Sequence, residues 1–184
     1  MRKNFMIFLL SFFVVMLSLP LIAARESGNY TYLIGEGILE GFGASETVER
    51  SSGDILILNG SGTFNVDTEE VIGSGKFIHE NSLGGVIGRG SWIATELITF
   101  DSYGPVDPSL GLPEGSEGGR ALLRVLVIPN NPTHIFEGVL RISCALGDFR
   151  PSVKEGVRLS VRGAKINFNQ EMHGATLFIK NMSD

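Results

Sequence analysis

Three polar or aromatic side chains capable of chemistry fall on strand positions that alternate toward one face: His79, Trp92 and Glu96. His79 continues the series Val71, Gly73, Gly75, Phe77. An imidazole there can bind a ligand or carry a proton near neutral pH, or, one residue from a turn, turn its polar tip to water. Glu96 continues the series Val86, Gly88, Gly90, Trp92, Ala94 and precedes Ile98. An inward carboxylate needs a partner or a raised pKa, though the register expected below sets Glu96 at the rim opposite Glu69, away from His79. Trp92, the sole tryptophan, either lines a pocket or fills the space over a glycine. These three residues are the candidate ligand-binding set.

Other chemistry finds less support. Cys144, the single cysteine, ends the apolar series Phe136, Gly138, Leu140, Ile142, which predicts a buried, inert thiol and excludes an internal disulfide. His134, Glu137 and His173 are competent metal ligands, but their spacing does not concentrate them, so no metal site is expected. The chain has no nucleophile elbow and no phosphate-cradling loop before a helix, and no cofactor is implied.

The elements that position these residues are strands. Gly60-Ser61-Gly62-Thr63-Phe64, Gly73-Ser74-Gly75-Lys76-Phe77 and Gly88-Arg89-Gly90-Ser91-Trp92 repeat one pattern, placing two glycines and one ring on the same face each time. Folding about Asp67–Glu70 and Asn81–Gly84 aligns Phe64–Gly73–Trp92, Gly62–Gly75–Gly90 and Gly60–Phe77–Gly88, with rings lying over glycines. Eight strands are predicted, near 30–40, 55–66, 71–80, 86–101, 121–129, 134–146, 157–168 and 174–180, with a bulge at Gly163 in the seventh. Folding about 130–133 pairs Val127 with Phe136, Val125 with Gly138, Leu123 with Leu140 and Ala121 with Ile142. The following turns set Cys144 against Leu159, Ile142 against Val161 and Phe168 against Ala175. Residues 43–53 read as a crossover, and 101–120 as a long acidic loop covering one mouth of the fold.

This pattern predicts an all-β fold: a single antiparallel, mostly up-and-down barrel of about eight strands, with a two-sheet sandwich as the alternative. Strand count, meander order and strand glycines resemble the calycin-type small barrels, among them lipocalins, avidins and the dirigent or allene-oxide-cyclase barrels. The resemblance implies an architecture and carries no site across, because no family-specific motif accompanies it.

The first 24 residues have the form of a secretory signal: Arg2 and Lys3, an apolar run from Phe5 to Leu19, then Pro20 and the small residues of Ile22-Ala23-Ala24. Counted to Ala24 the segment is also long enough to be an uncleaved anchor, the one circumstance in which a membrane would be involved. Residues 25–184 are expected to form one domain. Removing 1–24 takes two of the 15 basic residues and none of the 20 acidic ones, leaving 13 against 20 and a net charge of −7, which disfavours nucleic acid. Asn29, Asn59 and Asn181 head N-glycan acceptor tripeptides. Outward positions carrying Lys76, Arg124, Glu137, Arg141, Arg158 and Arg162 among Ser and Thr predict a solvated exterior. The combined expectation is a secreted or cell-surface, non-catalytic domain that binds a small apolar or amphipathic ligand or a partner surface. The alternatives are a barrel enzyme of isomerase, cyclase or hydrolase type and a structural or adhesive envelope protein.

Overall fold

A computed structural model describes residues 27–131, 134–148, 152–163 and 166–181. The expected signal segment and the Met182-Ser183 part of the last acceptor tripeptide lie outside these residues. The chain forms one antiparallel sheet of eleven strands: β1 (Asn29–Ile34), β2 (Ser45–Val48), β3 (Ile55–Asn65), β4 (Val71–Glu80), β5 (Val86–Pro105), β6 (Ser116–Pro129), β7 (Phe136–Cys144), β8 (Gly156–Val161), β9 (Ile166–Phe168), β10 (Gln170–His173) and β11 (Thr176–Asn181). Two 3-10 turns, Gly37–Phe42 and Pro108–Leu110, are the described helical elements.

The pairings run in a ring. β1 pairs with β3, β3 with β4, β4 with β5, β5 with β6, β6 with β11, and β11 returns to β1. β2 continues along β3 beyond the end of β1, and β7 to β9 extend the sheet from the other edge of β6. Inside lies a file of aromatic rings: Tyr30, Tyr32, Phe64, Trp92, Phe100 and Phe178, with neighbouring centroids 4.6 to 6.5 Å apart. Leu58, Leu97, Leu123, Leu140, Ile142 and Leu159 complete the core. Each aromatic contact adds about 0.5–1.5 kcal/mol beyond simple burial, so this file is the mechanical centre of the domain.

The glycine rows do lie under rings, but in a register two residues from the expected one. Gly62 pairs with Gly73, Gly60 with Gly75, Gly75 with Trp92 and Gly90 with Phe77, so Gly62, Gly75 and Gly90 are not mutual neighbours. An even slip keeps every side chain on its face, which is why the inward series survives. Asn65 causes the first slip. Its side-chain carbonyl accepts from the amides of Asp67 and Thr68, starting the turn one residue earlier than expected. The second comes in two steps: the turn closes from Asn81 to Gly85, so Glu80 meets Val86 one residue later than expected, and Ile87 bulges out between Val86 and Gly88 to add the other.

The β6–β7 pairs are as expected, residue for residue. β7 and β8 pair four residues away from expectation: Ile142 meets Val157 and Leu140 meets Leu159, leaving Cys144 beyond the end of β8. The expected seventh strand is two strands, because Gly163 (φ +82°) lies in a turn rather than a bulge and sends β9 back along β8. No terminal hairpin forms. β11 instead inserts between β1 and β6, and Phe168 faces Leu159. Residues 45–48 of the expected crossover are a strand. Half of the expected long loop is strand too: β5 runs to Pro105 and β6 starts at Ser116.

Candidate functional site

His79 stands near the end of β4, between Leu56 of β3 and Gly88 of β5. Its Nε2 lies 3.2 Å from Asp54 Oδ2, and its ring meets Phe168 edge-on at 5.2 Å. The pair is largely shielded and ties the residue before β3 to the end of β4.

Trp92 is 1 % exposed, and its indole Nε1–H donates to Asn59 O at 3.0 Å across Gly60 and Gly75. Of the two roles expected for it, the ring takes the filling one, over these glycines rather than over Gly73. The hydroxyl of Tyr32 occupies the space over Gly62 and Gly73. Burial raises the Tyr32 phenol well above its ordinary pKa.

Glu96 faces outward, not inward. A bulge after Ala94 places both Thr95 and Glu96 in solvent before Leu97 returns to the core, and Arg124 Nε–H donates to Glu96 at 2.8 Å. The bulge changes the phase of the strand, so counting by twos from Trp92 fails at this point. The three candidate residues therefore do not converge on one cavity.

Of the acids expected at a loop-covered mouth, Asp101, Asp107 and Glu117 are engaged in local contacts and Glu114 is exposed. Asp101 pairs with Arg120 at 2.7 Å across β5 and β6. Asp107 accepts from the Ser109 amide and starts the 3-10 turn. Glu117 accepts from Ser102 at 2.7 Å and from the Tyr30 hydroxyl at 3.3 Å. Cys144 is fully buried, its thiol pushed up to about 12 by burial and by the neighbouring Glu155 charge. His134 and Glu137 are exposed, Glu137 reaching Arg162 at 3.5 Å, and His173 is exposed on β10. Among the described residues, no three His, Cys, Asp or Glu side chains gather as a metal site.

Two shielded acids, the buried Glu171 and the half-buried Glu155, escaped the sequence reading. Glu171 sits between Arg141 and Arg158, bonded to the latter at 2.7 Å, and so bridges two arginines that face each other across β7 and β8 and offsets their mutual repulsion. Glu155 accepts from the amides of Ala145 and Thr176 and from the Thr176 hydroxyl, tying the β7–β8 connection to β11. Burial raises its pKa. Their only local signal is an acid next to a strand, which the periodicity does not separate from a solvated one.

The exterior is where the structure departs most from the expected solvated surface. On β4 and β5, Ile72, Ile87, Ile93 and Ile98 are 78, 56, 43 and 38 % exposed. Ile93 pairs with Leu126 of β6, and Ser91 beside it with the half-buried Ile128. Ile72, Ile93 and Leu126 make an aliphatic patch on the outer face, and Ile87 and Ile98 stand further along β5, beyond Arg89 and Glu96. Next to the patch runs an open groove of about 470 Å³ lined by Ile57, Asn59, Lys76, Ile78, Arg89 and Ser91, among others. Of the acceptor asparagines, Asn29 and Asn181 are exposed and paired with each other across β1 and β11, and Asn59 is half-buried at the groove. No family model, curated protein or solved structure matches this chain.

Proposed function

We propose that the chain is an exported, non-catalytic, calycin-like β-barrel domain that works through its outside, offering the aliphatic outer face of β4–β6 to a partner surface. The observation that carries this reading is the contrast between the two sides of one sheet. The inward positions are occupied by large side chains at 0–2 % exposure, while isoleucines stand in solvent on the outer side. A filled interior leaves little room for a ligand within the ring. Contiguous exposed aliphatic surface on a soluble domain marks an interaction site. The signal-like N-terminus supports export and the ring of pairings supports closure as a barrel.

The groove supports a second reading, a small amphipathic ligand. Its Lys76 and Arg89 suit an anionic head and its isoleucines an apolar tail.

A photo-crosslinking amino acid at position 72 tests the main reading in cells that export the protein, with the same label at Ser160 on β8 as the control. Protein adducts from position 72 and none from 160 are expected. Absence of adducts from 72 refutes the partner-surface reading. Native mass spectrometry of the exported protein tests the rest: loss of residues 1–24 is expected, and a small molecule retained one to one would establish the groove reading instead.

A further inference from the structure

We infer that the partner on this face is a second copy of the chain, docked about a two-fold axis through Ile93; the inference rests on the partner-surface reading above. The face is apolar at its middle and oppositely charged at its two ends. Ile93 lies at the centre, between Ser74 and Leu126. Toward the hairpin at 81–85 the outer positions carry Lys76, opposite Ser91, and Arg89, opposite Ile78; these outnumber Glu80, the single acid on the outer side of β4 there. Toward the turn at 66–70 stand Asp67, Glu69, Glu70 and Glu96, with Arg124 as the lone base. The turn is held to this end of β5 by the Leu97 amide, which donates to Glu69 O at 3.1 Å.

At about 3.3 Å per residue, Arg89 and Glu96 lie roughly 10–13 Å from Ile93 in opposite directions along β5. A two-fold axis in the plane of the interface and across the strands reverses strand direction. It therefore sets the basic end of each copy over the acidic end of the other, with each Ile93 near its own counterpart. Such an isologous contact is self-limiting, since one pairing covers the face on both molecules. Any partner must match an apolar centre flanked by a basic and an acidic end in reversed order, and the chain itself carries that pattern.

The area is adequate. Ile72, Ile93, Leu126 and Ile128 form the apolar middle, and Ile87 and Ile98 add aliphatic surface beyond Arg89 and Glu96 at the two ends; the exposed isoleucines together amount to roughly several hundred Å², about the size of patch that marks an interaction site. The stems of Lys76, Arg89 and Arg124 widen it toward the roughly 800 Å² per partner of a standard interface.

Light scattering and sedimentation of the purified full chain should show a dimer. Ile93→Glu should make it monomeric while leaving far-UV circular dichroism unchanged, because the side chain points to water in the single chain, and should remove the dependence of the melting temperature on protein concentration. Lys76→Glu alone and Glu96→Lys alone should each weaken dimerisation by about tenfold or more, as like charges meet across the interface. The double variant Lys76→Glu/Glu96→Lys should restore it, which a non-specific apolar association would not do. The crosslink from position 72 should run at twice the mass of the chain. A wild-type monomer up to the solubility limit, a dimer indifferent to Ile93→Glu, or no rescue by the double exchange overturns the inference. Position-72 adducts only to a different protein would overturn it and leave the partner-surface reading standing, whereas no adducts at all would remove both.

Discussion

Gly75→Ala adds one methyl group at the point where the domain has least room. A Cβ built on Gly75 falls 1.9 Å from Asn59 O, 2.6 Å from Trp92 Nε1 and 2.7 Å from Gly60 Cα. It would sit inside the 3.0 Å hydrogen bond between Trp92 and Asn59. Two of those three neighbours are backbone, so relief requires β3 and β4 to part or the indole to leave its place over the glycines. Overpacking costs about 1–3 kcal/mol, and a buried indole N–H without its acceptor costs a further 1–3. Against this, replacing glycine in a strand returns roughly 0.5–1 kcal/mol of chain entropy. The net expectation is a loss of about 2–4 kcal/mol from a total that is ordinarily 5–15. Gly88→Ala is the matched control, since a Cβ there meets His79 Cβ at 3.5 Å, an ordinary contact. Urea unfolding followed by the fluorescence of Trp92, the sole and buried tryptophan, reads both. With a slope of about 2 kcal/mol per molar, Gly75→Ala should lower the midpoint by roughly 1–2 M and Gly88→Ala should leave it in place. Equal midpoints for the two variants would refute the packing of Trp92 over Gly60 and Gly75.

Cys144 should resist thiol reagents at pH 8 in the native protein and react fully in denaturant, because its thiol is buried and pushed up to about 12; labelling followed by mass spectrometry checks this. Deleting residues 105–117 with a short bridge, harmless to a solvated lid, should instead prevent folding or lower the melting temperature sharply. It removes Ser116 and Glu117, which pair with Ile179 and Phe178 where β6 meets β11, as well as the buried Val106. Trimming only 107–114 should be tolerated, and a calorimetric scan distinguishes the two. Glu155 has a raised pKa in the folded state, so its contribution to stability is full below the ordinary carboxyl value and is lost as pH rises through the raised one. Denaturant titrations should therefore show the wild type losing stability relative to Glu155→Gln as pH rises above the ordinary carboxyl range, and parallel pH profiles would refute the assignment.

What the sequence made legible was facing, and what it concealed was partnership. Period-two alternation placed Trp92, Phe77, Leu123, Leu140 and Cys144 inside without reference to any neighbour, and all five are buried. It failed at Glu96, where a bulge adds a residue and resets the phase. Register within hairpins was readable to the accuracy of the turn. It was correct at β6–β7, two residues off where Asn65 drew the turn forward and Ile87 bulged out, and four off across the connection from Cys144 to Gly156. Each slip was even, because an odd one would have turned the core face to water.

The insertion of β11 between β1 and β6 could not be read locally. Its alternation fits the end of a meander as well as a closing strand, and only the space left between the first strand and the β5–β6 arm decides. The same limit applies to function. A sequence pattern separates the two faces of a strand, but whether the outer face meets water or another surface depends on which outward residues become neighbours after the sheet assembles. Ile72, Ile93 and Leu126 are separated along the chain by many residues of ordinary strand pattern, and each alone is an unremarked exposed or half-buried aliphatic. Pairing brings Ile93 beside Leu126 and sets Ile72 two positions along β4 from Ser74, which Ile93 faces. It also gathers Lys76 and Arg89 at one end and the 66–70 turn with Glu96 at the other. The polarity on which the two-fold reading depends is thus a product of register: with β4 shifted by the two residues first expected, Lys76 would face Arg89 instead of Ser91 and the basic end would repel itself.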